Sequence, residues 1–188
     1  MLGLFKHLLG GSTASSATDH LKRGLDWARQ GQHDSAIREF SRALRLAPDC
    51  AEAYYQRGLA YFEREEYDRA IADFEATVRR EPEGARSYIG RGQVHMEQGA
   101  NADALRDFDT AVRLDPTAAA AYLGRGEVHQ RHNDHEQAIA DYTEAIRLDP
   151  HNSRAYRHRS MCYLLVGDYG KSTADRAEAE RLSEHATV

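Results

Sequence analysis

The stretch AEAYYQRGLAYFEREEYDRAIADFEATVRREPEG, residues 51–84, is followed at once by ARSYIGRGQVHMEQGANADALRDFDTAVRLDPTA, residues 85–118, and the two align without a gap. Tyr54 meets Tyr88, Gly58 meets Gly92, Ala70 meets Ala104, Phe74 meets Phe108 and Pro82 meets Pro116. The four prolines of the chain, Pro48, Pro82, Pro116 and Pro150, all keep this interval of 34 residues. A residue locked at φ of about −65° and recurring at one interval means a single supersecondary unit used again and again.

Numbered so that the proline is position 32, the units are 17–50, 51–84, 85–118, 119–152 and 153–186. Position 4 reads His20, Tyr54, Tyr88, Tyr122, Tyr156, and position 8 reads Gly24, Gly58, Gly92, Gly126, Ser160. Position 11 reads Trp27, Tyr61, His95, His129, Tyr163, position 20 reads Ala36, Ala70, Ala104, Ala138, Ser172, and position 24 reads Phe40, Phe74, Phe108, Tyr142, Arg176. Large and small residues at helical spacing let two helices approach at the small side chain and lock with the large one. Each unit is therefore expected to be a helical hairpin, helix A over positions 2 to 14 and helix B over 18 to 31. Gly31, Gly99 and Gly167 fall at the A-to-B turn, where a positive φ ends a helix, while Glu65 and Asn133 stand there in the other two units. Asn tolerates that conformation; Glu65 implies mild strain or a different turn.

The aromatic at 4, Gly at 8, Tyr at 11, Ala at 20, Phe at 24, Ala at 27 and Pro at 32 resemble the tetratricopeptide repeat family, from residue 17 onward. The fold the resemblance implies is all-α, an α-solenoid of about five antiparallel helix-turn-helix repeats. The fifth helix B has Ser172 and Arg176 in the Ala and Phe columns, lacks the proline and carries Asp175, Glu178, Glu180 and Arg181, which reads as a polar C-terminal capping helix.

Composition limits the function classes. The chain has 188 residues, 41% hydrophobic and 29% charged, as expected of a water-facing helical protein. A net charge of −5 argues against nucleic acid as a partner, since phosphate binding wants a basic stripe. No apolar run reaches the roughly 18 residues that cross a membrane. Cys50 and Cys162 read as packing residues rather than a disulfide pair, consistent with a reducing, cytoplasmic setting.

Several constellations look chemical until set against the period. Gly167-Asp168-Tyr169-Gly170-Lys171-Ser172 ends like a phosphate loop, but Leu165 stands where that loop needs its first glycine. His129, His132 and His135 have metal-ligand spacing, yet His129 and His135 occupy columns filled elsewhere by aromatic or His residues. Gly90-Arg91-Gly92 and Gly124-Arg125-Gly126 lack the third glycine of a dinucleotide fingerprint. No nucleophile-base set emerges, so no catalytic, cofactor or metal residue is assigned and the chain reads as a non-enzyme.

One charged pattern recurs in every unit. Arg23, Arg57, Arg91, Arg125 and Arg159 hold position 7, while Glu39, Asp73, Asp107, Asp141 and Asp175 hold position 23. Because each Arg travels with its own acid, a structural bracket is favoured over a row of ligand-binding cations.

The resemblance places ligand binding on the inner surface, at helix A positions 2, 5, 9, 12 and 13. The candidate groove residues are Leu21, Leu25, Tyr55, Leu59, Phe62, Ile89, Gln93, Met96, Leu123, Glu127, Arg154 and Arg157, an apolar stripe with a charged margin. Gly90 and Gly124, each costing a helix about 1 kcal/mol relative to Ala, are expected to admit a ligand backbone. The carboxylate clamp that relatives use for chaperone C-terminal tails wants Lys at 5 and Asn at 9. Here those places hold Leu21 and Leu25, Tyr55 and Leu59, Ile89 and Gln93, Leu123 and Glu127, which disfavours such tails. A protein or peptide partner, apolar or amphipathic, is expected instead.

Residues 1–9 read as an amphipathic arm and 10–18 as a flexible tether. On a helical wheel Leu2, Leu4, Phe5, Leu8 and Leu9 fall with Met1 inside an arc of roughly 160°. The arm lacks the basic start of a secretory signal. Docking on an apolar groove of its own chain near Leu25, Leu59 and Phe62, on the groove or an end face of another copy, on a membrane surface, or on a targeting receptor are the alternatives it leaves open.

Overall fold

The computed structural model describes the backbone of residues 3–185 and the side chains of residues 16–184. Its helices are α1 (Gly3–Arg29), α2 (His33–Leu46), α3 (Ala51–Glu63), α4 (Tyr67–Arg80), α5 (Ala85–Glu97), α6 (Asn101–Leu114), α7 (Ala119–Arg131), α8 (His135–Leu148), α9 (Ser153–Leu165) and α10 (Tyr169–His185). The architecture is an all-α solenoid, odd-numbered helices serving as helix A and even-numbered ones as helix B. Helices A from the second repeat on span positions 1 to 13 and helices B of the first four span 17 to 30, one residue earlier than the pattern suggested.

Proline sets that end. The residue before each one, Ala47, Glu81, Asp115 and Asp149, is pushed out of the helical region to φ between −135° and −129°. α10, with no proline at that place, runs on through His185. At the other end, α1 takes in the stretch 10–18, so the expected tether is helical backbone continuous with repeat one. Extending an existing helix adds one hydrogen bond per residue fixed, without a new nucleus. The side chains of the arm residues Leu2, Leu4, Phe5, Leu8 and Leu9 lie outside the described residues.

The A-to-B turns share one backbone. Gly31, Gly99 and Gly167 adopt φ of 70°, 74° and 84°, and Glu65 and Asn133 adopt 58° and 64° at the same place. The Glu65 turn thus has the left-handed φ of the four other turns rather than a different geometry.

The chain divides into two compact units, Met1–Val94 and His95–Val188. In the first, Ala36, Phe40 and Ala60 form one buried cluster, Ala43, Leu44 and Ala53 a second, and Ala70, Phe74 and Val94 a third. In the second, Ala138, Tyr142 and Cys162 are fully buried together. The position 24 ring fills the notch left by a glycine of helix A. A β-carbon on Gly126 would sit 2.7 Å from Tyr142 Cε1, and one on Gly24 would collide with Phe40. Gly90 and Gly124 are accounted for in the same way. A β-carbon on Gly90 would meet Phe74 Cζ at 2.7 Å, and one on Gly124 would overlap Phe108. They admit the ring of the preceding helix B rather than a ligand, which corrects the sequence expectation.

Candidate functional site

The Arg and acid columns build a bracket inside the repeats. Arg57 donates from Nε to Asp73 Oδ2 at 2.7 Å and from Nη2 to Oδ1 at 2.8 Å. Arg125 grips Asp141 at 3.0 and 2.7 Å, and Arg159 grips Asp175 at 2.7 and 2.8 Å. Arg23 donates to Glu39 at 3.1 Å. The remaining Nη1 reaches back to the preceding helix B: Arg57 to Ser41 at 3.0 Å, Arg125 to Asp109 at 2.9 Å, Arg159 to Thr143 at 3.0 Å. One guanidinium therefore ties three helices, and aromatic rings of positions 4 and 11 flank it, as Tyr54 and Tyr61 do for Arg57. The carboxylates are buried, so these arginines are committed to the fold.

The histidines once grouped by spacing are likewise distributed. His129 lies with Nε2 3.8 Å from Asp141 Oδ2, beside the bracket; His132 is the exposed cap residue of α7, and His135 begins α8. Among the described residues no group of three or more His, Cys, Asp or Glu side chains could hold a metal ion.

In the first unit the candidate groove residues lie half-buried, shared between core and surface. Leu21 and Leu25 lean on the Phe40 cluster, and Tyr55, Leu59 and Phe62 lean on the Phe74 cluster. Ile89 and Gln93 are also half-buried. Arg86 stacks 4.5 Å over the Tyr55 ring while pairing with Glu52 at 2.6 Å, so a cation crosses the apolar stripe. Burial pushes the Tyr55 pKa up, against the pull of Arg86. A shallow hollow of about 430 Å³ opens between Leu25, Ala28, Arg29 and Gln56.

The second unit is different. Met96 is buried, Leu123 leans on the Tyr142 cluster, and Arg154 and Arg157 are exposed. Glu127, placed at the margin by its sequence position, is only 7% exposed. Arg154 Nη2 lies 2.9 Å from both carboxylate oxygens but directs its N–H to Oε2, leaving Oε1 without a hydrogen bond. His158 Nε2 is 3.5 Å from that oxygen, and its Nδ1 meets Gln130 Oε1 at 3.1 Å. Gln130 also accepts from the buried Tyr142 hydroxyl at 2.7 Å, and the Tyr142 and His158 rings stack at 5.6 Å. Burial raises the Glu127 pKa, with Arg154 and Arg131 opposing; burial lowers that of His158, helped by Arg154 and Arg157. What the aligned columns did not reveal is this network across α7, α8 and α9. Its signal was Tyr142 in a column of phenylalanines, because a buried phenol needs a partner.

Apolar side chains of the last repeat stand out in water. Met161, Leu164, Leu165, Val166 and Tyr169 are between 41% and 67% exposed. None of the helices among the described residues is long and apolar enough to cross a membrane.

Comparison with known proteins follows the architecture. Among solved structures, PilF of Pseudomonas aeruginosa is 16% identical, with a TM-score of 0.83 over 90% of this chain and 78% of that one. MamA of Desulfovibrio magneticus RS-1 is 20% identical, with a TM-score of 0.77 over 90% of this chain and 96% of that one. YrrB, described as a TPR protein with an unusual peptide-binding site, is 20% identical, with a TM-score of 0.67 over 98% and 97%. At such identities the likeness is one of fold. No curated protein sequence matches the chain. The tetratricopeptide repeat profile matches residues 21–85, 55–119, 89–152 and 123–182. Repeat period, hairpin geometry and profile agree, and the chain belongs to the tetratricopeptide repeat family.

Proposed function

We propose that the protein is a non-catalytic interaction scaffold which holds a segment of a partner protein against the inner faces of its A helices. The observation that carries this reading is the row Leu21, Leu25, Tyr55, Leu59, Phe62 and Ile89, half-buried side chains on successive A helices of the first unit, with the hollow beside Leu25 and Gln56. The peptide-binding site ascribed to YrrB supports it by analogy of fold. The ligand is an apolar or amphipathic segment, since the clamp positions for an acidic tail hold Leu, Tyr, Ile and Glu. The free cysteines, Cys50 and Cys162, accord with a cytoplasmic setting.

Burying one Leu contributes about 1.5–3 kcal/mol and association costs about 4–15 kcal/mol, so micromolar binding draws on several anchors at once. Deleting Leu59 or Phe62 would also disturb the Phe74 core, so the test fills the surface instead. The variant Gln56→Trp with Ile89→Arg, used as bait in affinity capture with mass spectrometry, is expected to lose the partner that the parent recovers while keeping its helical spectrum. Equal recovery by a folded variant refutes the inner-face reading.

A second reading is self-association, in which the ligand is another copy of the chain. The exposed apolar side chains at the end of α9 favour it.

A further inference from the structure

Positions 13 and 14 of helix A are Arg29-Gln30, Glu63-Arg64, Glu97-Gln98 and Arg131-His132 in the first four repeats. In the fifth they are Leu165-Val166. Together with Met161, Leu164 and Tyr169 these are exposed apolar side chains clustered in sequence at the end of α9 and the start of α10. Inside the second unit, the corresponding row of α7 is covered by the next helix A: Arg154 and His158 of α9 lie over Glu127 and Gln130. Among the described residues nothing lies over Met161 and Leu164 in that way. Nor does α10 continue the repeat pattern, because Ser172 and Arg176 replace the Ala and Phe of a helix B, and Arg176 and Glu180 are exposed. The row on α9 is thus shaped to take one more helix alongside, apolar where it touches.

The chain contains such an element. Its first nine residues, MLGLFKHLL, carry Leu4 and Leu8, and Phe5 and Leu9, at spacings of four, on backbone that is helical from Gly3 onward. No repeat column accounts for them. We propose that the end face formed by Met161, Leu164, Leu165, Val166 and Tyr169 receives the N-terminal helix of a second copy, joining chains head to tail. The proposal rests on the self-association reading above and assigns it two surfaces. Because the two surfaces differ, the contact is heterologous and leaves a pair with a free arm at one end and a free patch at the other, so growth runs past a pair into a ring or an open chain.

The test uses three full-length proteins in sedimentation velocity over a dilution series: the parent, an arm variant (Leu4→Glu with Leu8→Glu) and an end variant (Leu165→Glu with Val166→Glu). The parent is expected to grow beyond dimers with concentration, and each variant alone to be weakened by at least about tenfold in association constant. Mixed together, the two variants should form a one-to-one dimer and stop there, because one intact arm meets one intact patch. A parent that stays monomeric overturns the proposal. So does an arm variant that still self-associates, which would pair end face with end face, or a mixture that stays monomeric, which would place the arm elsewhere. If the end variant does not show the parent's helical spectrum, Leu165→Gln with Val166→Thr replaces it. The Gln56→Trp, Ile89→Arg protein should associate like the parent, which separates this test from that of the inner face.

Discussion

Glu65 is the residue whose chemistry fits its backbone least. A side-chain-bearing residue in the left-handed region costs about 1–2 kcal/mol, and only Gly visits it freely. Three of the five turns place Gly there, and Asn133 softens the fourth. Glu65→Gly removes that strain but adds about 0.5–1 kcal/mol of unfolded-state freedom. The net expected gain is about 0.5–1 kcal/mol, read in a thermal melt as a rise of about 1–4 °C. An unchanged or lower midpoint would mean that Glu65 earns its place through contacts its exposure does not suggest. Single residues were also where the sequence misled. Gly90 and Gly124 look like ligand clearance in a helix taken alone, because the ring that needs the space belongs to another helix. Glu127 looks like a surface acid for the same reason: its burial is created by Arg154 and His158, 27 and 31 residues further on.

At the scale of the helix, proline and bracket have separate jobs. Proline ends each helix B at a fixed length, and its loss in the last repeat lets α10 continue. The bracket then holds the hairpin closed and ties it to the helix before. Asp141→Ala would leave Arg125, mostly buried, with Asp109 alone. Breaking fully buried pairs costs about 3–5 kcal/mol and exposed ones at most about 1, so about 2 kcal/mol is expected here. A urea titration should show the lower midpoint; the double variant Asp141→Leu, Arg125→Met should recover part of it, because no charge is then stranded. Failure of Asp141→Ala to destabilise would show that the bracket is dispensable. Elements of this kind were legible from sequence because each obeys a local period, and the bracket because sign is conserved column by column within one chain. The Tyr142, Gln130 and His158 network was not legible, since it joins three helices in one unit only.

For the molecule as a whole, His158 and Glu127 make the second unit sensitive to pH. The folded state holds His158 below the ordinary imidazole value of 6.5, chiefly by burial, so below that value the unfolded chain binds the proton more readily. Stability associated with this group is present above pH of about 6.5 and is lost as pH falls toward its folded value. Glu127 acts in the opposite sense: its pKa is raised from 4.5, so its contribution weakens as pH climbs above that value. Chemical denaturation at successive pH values should therefore show the parent losing more stability than His158→Gln on acidification from neutrality. Parallel curves would exclude His158 as the group responsible. The contacts that build the two units have a further consequence. Within each unit, helices pack on a neighbour in sequence or on the next but one, as α1 on α2 and α3, and α7 on α8 and α9. Little chain entropy is spent closing long loops, which places folding among the fast, low-contact-order cases. The hairpin of α1 and α2 completes its core with Ala53 and Ala60 of α3 and, among the described residues, with nothing further along the chain, so during synthesis the chain can begin to fold while its own last repeat is still being made.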